Sequence, residues 1–166
     1  HEPADGIGFV IGAIFITLSG YVNAYRYKDR SFRDNMKRGL RRFFLLAMVA
    51  WGISFVTYTF FYEERISWGI IHFFALSSLL QPFFSKFSWW IFPSTGAIFL
   101  LSWWISGIAV NTPYLVPLGL SPSGYYSADY YPLFPWFWYL LLGQGIGLII
   151  WKFWFENTLA SMKFPR

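Results

Sequence analysis

Apolar residues are gathered into five long runs, Gly6–Tyr25, Phe43–Tyr62, Ser67–Phe84, Trp89–Val110 and Leu133–Trp151, with polar residues confined largely to the connections. A helix needs about 20 apolar residues to cross the hydrocarbon of a bilayer and satisfies every backbone amide within itself. Barrel strands are half that length and alternate in polarity, so the runs exclude a closed barrel. The pattern predicts an all-α, polytopic transmembrane helix bundle of about five spans, forming a single domain over residues 1–166. The lipid bilayer is its first expected partner.

Orientation is expected from the basic residues. The connection Arg26–Arg42 carries most of them, and short basic connections stay in the cytoplasm. Alternation then puts Lys86, Lys152, Lys163 and Arg166 on the same side and leaves only Arg65 outside. The acids Glu2, Asp5, Glu63, Glu64 and Asp129 all fall outside, so the N-terminus is expected outside and the C-terminus in the cytoplasm. Glu63-Glu64-Arg65 reads as a tight charged hairpin, and Asn111–Pro132, rich in Pro, Gly, Ser and Tyr, as the one long outer loop. No basic n-region precedes the first run, which therefore does not read as a signal peptide. A first span with an outer, acidic leading end is expected to follow another helix.

Composition agrees with a membrane location. Of 166 residues, 56% are hydrophobic and only 13% charged, and the mean hydropathy is +0.42. In a prokaryote this means the cytoplasmic membrane. Aromatic residues reach 25%, which suits a chain with two interfaces to line. Cysteine is absent, removing disulfides and thiolate metal ligands, and no metal-ligand spacing, Gly-rich phosphate loop or nucleophile elbow is present. Nucleic acid is not an expected partner, because no binding module accompanies the +5 net charge.

Small and polar residues inside the runs point to helix packing. Gly8, Gly12, Ser19 and Asn23 share one arc of the first run, with Asp5 close to the same line, and Gly143 and Gly147 repeat the small-residue spacing in the fifth beside Gln144. Other membrane subunits, or a helix before His1, are the partners such stripes imply.

Three residues carry candidate chemistry on the outer side: His1, His72 and Asp129. Histidine moves protons near neutral pH, and a carboxylate beside it orients the ring. His72, about 8 Å below the outer end of its run, either hydrogen-bonds a neighbouring helix or serves function. Asp129 either joins that chemistry or N-caps the fifth helix. On the cytoplasmic side Lys37, Arg38, Arg41 and Arg42 either meet anionic lipid head groups or bind the phosphates of a nucleotide-like donor such as coenzyme A.

The stretch Asp129-Tyr130-Tyr131-Pro132-Leu133-Phe134-Pro135-Trp136, followed by Leu142-Gly143, closes the outer loop and opens the fifth run. Together with Arg65–Phe73, Lys37-Arg38-Gly39-Leu40, Gly8-Phe9 and Ser19-Gly20, it resembles the catalytic domain of heparan-alpha-glucosaminide N-acetyltransferase and its prokaryotic relatives. The resemblance implies a membrane acyltransferase that takes acetyl from acetyl-CoA on the cytoplasmic side and passes it to a sugar-like amine or hydroxyl outside, with no metal. It places His1 of His1-Glu2-Pro3-Ala4-Asp5-Gly6 where the animal enzyme of the family has its active histidine, as general base or acyl acceptor. The family's first helix, with its Asp-x-x-Arg-Gly signature, and its later helices have no counterpart here. The expectation is a piece of a larger protein or a reduced relative, and the competing role is a non-catalytic subunit of a membrane complex.

Overall fold

In a computed structural model the chain is all-helical, with residues 3–27, 30–85, 90–105, 108 and 110–155 described. Five helices follow in order: α1 (Pro3–Tyr27), α2 (Phe32–Phe60), α3 (Ile70–Ser85), α4 (Ile91–Ile105) and α5 (Leu133–Ile150). Three of them are long and apolar enough to cross a membrane, over Gly6–Tyr27, Phe32–Phe60 and Leu133–Trp154, whereas α3 and α4 are shorter apolar helices.

The largest departure from the hydrophobic pattern is the start of α2. Polarity places a basic loop up to Arg42, yet the helix begins at Phe32 and carries Lys37, Arg38, Arg41 and Arg42 on its own first turns. Ser31 explains the early start. Its extended backbone lets Oγ accept from the amide of Asp34 at 3.1 Å and donate to Asp34 Oδ2 at 2.6 Å, closing the first turn from both sides.

Helices α1 and α5 form the central pair, with α4 packed on α5 and α2 on α3. Ile16, Phe73, Leu133, Trp136, Phe137, Leu140 and Leu141 make the core where α1, α3 and α5 meet. Two glycines set the approach of α1 to α5. A Cβ on Gly20 would strike the carbonyl oxygen of Leu140, and one on Gly143 that of Thr17, so each helix leaves room for the other's backbone. Gly147 lies on Tyr21 and Ala24 in the same seam, as its spacing predicts. Among the described residues Gly8 and Gly12 do not pair with a helix: a Cβ on Gly8 would meet nothing within 4 Å, and Gly12 faces the Tyr131 ring.

One end of the bundle gathers the turn between α2 and α3, a short 3-10 segment at Tyr62–Glu64, and the 111–132 connection, with its own 3-10 segment at Pro113–Leu118. The other end carries the basic turns of α1 and α2. They are called here the loop end and the basic end.

Candidate functional site

At the loop end the site is built around the first turn of α3. The opening amides of a helix have no partner inside it. The amides of Ser67, Trp68 and Ile70 find theirs in the distant 127–131 strip. Ser127 Oγ accepts from the amides of Ser67 (3.1 Å) and Trp68 (3.4 Å) and donates to the Asp129 carbonyl at 3.0 Å. Asp129 Oδ2 accepts from the amide of Ile70 at 2.9 Å. The Ala128 amide donates to the Arg65 carbonyl at 3.1 Å, and Trp68 Nε1 to the Tyr131 carbonyl at 3.1 Å.

Asp129 therefore caps α3 and not α5. The residue before α5 in capping position is Pro132, which makes no side-chain cap bond. Gly69 is what lets the carboxylate in, since a Cβ there would collide with Asp129 Oδ2.

His72 completes the same cap from within the helix. The Gly69 amide donates to Nδ1 at 3.2 Å, so that nitrogen carries no proton. Ser54 of α2 donates its hydroxyl to the Ile66 carbonyl at 2.7 Å, which leaves its oxygen to accept from Nε2–H at 3.3 Å. The network thus assigns a neutral ring with the proton on Nε2. The side chain is buried, and its ring lies 5.0 Å from that of Trp68.

His72 and Asp129, far apart in sequence, share a cavity of about 70 Å³ walled by Ala50, Ile53, Ile66 and Gly69 to His72. It has room for water but is far below the several hundred Å³ of a ligand pocket. On its other side His72 borders a larger apolar cleft of about 320 Å³ between Phe43, Ala47 and Trp51 of α2, Ala75 and Leu76 of α3, and Pro117. His1 lies outside the described residues. Among the described residues no three His, Cys, Asp or Glu side chains converge as metal ligands would.

The aromatic residues after Asp129 serve a different wall. Tyr130, Pro132, Phe134 and Trp136, with Phe9 of α1 and Phe99 and Trp103 of α4, line a cavity of about 490 Å³. Tyr131 and Phe9 pack against Trp136 with tilted rings whose centroids lie 4.7 and 4.9 Å away. Tyr130, whose hydroxyl donates to the Val116 carbonyl at 3.0 Å, has its pKa pushed up to about 12, chiefly by burial and secondarily by Tyr125.

At the basic end a cavity of about 430 Å³ is lined by Arg26, Tyr27, Arg30, Arg38 and Arg42. Of the four expected phosphate binders it takes Arg38 and Arg42. Lys37 and Arg41 are exposed and absent from its lining. Arg26 and Arg30 were missed as site residues, although both sit in the basic stretch. Arg42 is held in place: its Nη1 donates to Asn23 Oδ1 at 3.3 Å, and Asn23 Nδ2 donates to Gln81 Oε1 of α3 at 3.2 Å. The helical arc through Asn23 marked helix packing, and Asn23 makes its contact as this bond to α3.

Residues 3–165 match the family model described as heparan-alpha-glucosaminide N-acetyltransferase, catalytic. The chain belongs to that family. It is an integral membrane protein of an acetyltransferase catalytic-domain family, and the family resemblance of the Asp129–Trp136 stretch is sustained over almost the whole length. No curated protein and no solved structure matches it.

Within this family frame, the fold holds two polar clusters apart along the bundle. From Arg42 to Ser54, α2 rises about 18 Å. A cluster of cations stands at one level and a neutral, fully engaged imidazole with a carboxylate at the other.

Proposed function

We propose that the protein is a membrane acyltransferase, accepting an acetyl or longer acyl group from coenzyme A at the basic end and delivering it to an amine or hydroxyl of a sugar-like acceptor at the loop end. The observation that carries this reading is the cavity in which Arg26, Arg30, Arg38 and Arg42 converge, at the opposite end of the bundle from His72 and Asp129. Guanidinium groups recognise phosphate by charge-assisted, often paired hydrogen bonds, and four around one cavity suit the phosphates of the donor. The basic end would then face the cytoplasm, where basic connections reside.

In the transfer, the acceptor nitrogen or oxygen attacks the thioester carbonyl, the carbon–sulfur bond breaks, and the acceptor's proton passes through a base to the departing thiolate. His1 is the candidate for that base. As a transient acyl carrier its imidazole would instead attack the thioester and release the thiolate, and the acceptor would then attack the acyl-imidazole and release the imidazole. His72 has both nitrogens engaged, so it shapes the loop end together with Asp129. Asp129 supplies the negative charge that would balance an imidazolium formed nearby. The aromatic cavity beside Tyr130 and Trp136 is the place for the acceptor, because its size fits a ligand.

The test is purified protein with labelled acetyl-coenzyme A and a glucosamine-type acceptor. Binding and transfer are expected, with donor binding lowered on the order of tenfold by Arg38→Gln with Arg42→Gln and transfer abolished by His1→Ala. If no label is bound, hydrolysed or transferred and His1→Ala changes nothing, the enzyme reading falls and a non-catalytic membrane subunit takes its place.

A further inference from the structure

The first turns of α2 carry two rows of cations, and only one row faces the arginine cavity. Arg38 and Arg42 line it. Lys37 and Arg41 precede them by one residue each, which turns their row about 100° around the helix. Both are exposed. Continued at three- and four-residue steps, the row of Lys37 and Arg41 runs into Phe44, Met48, Trp51 and Phe55, all large, apolar and exposed.

In an integral membrane protein a row of exposed Phe, Met and Trp over three turns faces hydrocarbon. The same row just below the apolar stretch must then face the layer of lipid head groups. Depth agrees. Arg41 lies about 3 Å and Lys37 about 9 Å before Phe43, where the apolar stretch begins. The head-group layer is about 5–8 Å thick on each side, and a lysine stem reaches a few ångströms along the helix.

We propose that Lys37 and Arg41 form a contact site for the head groups of anionic phospholipids, on a face of α2 separate from the arginine cavity. Neither side chain lines the arginine cavity, and a sheet of negative charge at the matching depth complements both without any enclosure. One helix thereby serves two kinds of phosphate: lipid phosphate on its outward row and soluble phosphate on the row turned toward α1.

The experiment uses the protein in nanodiscs of equal phosphatidylglycerol and phosphatidylcholine, extracted into mild detergent, with retained lipid identified by native mass spectrometry. Wild type is expected to retain phosphatidylglycerol preferentially. The double variant Lys37→Gln with Arg41→Gln should lose this preference by about fivefold per charge removed, and Lys37→Arg with Arg41→Lys should keep it. Arg38→Gln with Arg42→Gln should leave the preference intact. Equal phosphatidylglycerol retention in wild type and the Lys37/Arg41 glutamine variant overturns the proposal, as does a preference lost only with Arg38 and Arg42. Equilibrium dialysis of acetyl-coenzyme A on the same samples supplies the second arm. Unchanged donor binding in the Lys37/Arg41 glutamine variant supports two separate sites, and a loss matching that of the Arg38/Arg42 variant overturns them. The lipid measurement reads out whether or not the donor binds, so this proposal and the acyltransferase reading fail separately.

Discussion

Asp129 Oδ2 accepts the backbone amide of Ile70 at 2.9 Å across 59 positions of sequence. That bond fastens the end of the 111–132 connection to the start of α3. Every structural role of the acid follows from where it lands and not from its own neighbours in the chain. Replacing it separates capping from charge. Asp129→Ala is expected to lower stability by about 1–2 kcal/mol, as loss of an N-cap does, while Asp129→Asn keeps an acceptor oxygen and most of that stability. Thermal unfolding in detergent measures the first effect. If Asn restores the melting temperature but not acyl transfer, the carboxylate charge serves chemistry as well as the cap.

The His72 ring is expected in a single neutral tautomer. Nitrogen-15 NMR of histidine-labelled protein at neutral pH should show Nδ1 without a proton and Nε2 with one, because the Gly69 amide donates to the former and Ser54 accepts from the latter. A protonated Nδ1 contradicts this network. His72→Phe leaves the Gly69 amide and the ring's place beside Ser54 unsatisfied and should cost about 1–3 kcal/mol.

Glycines of α1 are expected to differ sharply in what they tolerate. Gly20→Ala drives a methyl group into the Leu140 carbonyl, as Gly143→Ala does into that of Thr17, so either should destabilise by at least about 1–3 kcal/mol. Gly8→Ala meets nothing within 4 Å and should be neutral. Melting temperatures of the three variants decide the point, and equal losses at Gly8 and Gly20 would remove the α1–α5 contact as the explanation.

Tyr130 links the loop end to alkaline pH. Its pKa in the folded chain is about 12, against an ordinary tyrosine value of 10.0. The folded state therefore holds the phenolic proton more tightly than the unfolded one. The stabilisation is fully present below pH 10 and falls as pH rises from 10 through 12. Absorbance of tyrosinate should show a late-titrating group that disappears in Tyr130→Phe.

Much of this molecule is legible in local pattern. The apolar runs fix the helices, since only a helix satisfies its backbone in hydrocarbon, and all five appear within a few residues of their marks except at the start of α2 and the end of α4. At the start of α2 the basic side chains suggested a loop, but helix formation depends on capping and on backbone bonds that lysine and arginine do not oppose, and Ser31 supplies the cap. The Gly143–Gly147 spacing announced a close contact. It could not name Gly20 as the reciprocal partner, because the same spacing at Gly8 and Gly12 meets no helix among the described residues.

By itself the sequence determined that the chain is a bundle of apolar helices with cations gathered at one end and a polar connection rich in tyrosine before α5, because composition and helical period act within a few residues. The tertiary structure alone decided that Asp129 caps α3, that His72 is engaged at both nitrogens, and that Arg38 and Arg42 line one cavity with Arg26 and Arg30 while Lys37 and Arg41 stand outside it. Those outcomes depend on the rotation of each helix about its axis and on which distant segment packs against it. Side-chain periodicity defines the faces of a helix, but only packing chooses what each face meets.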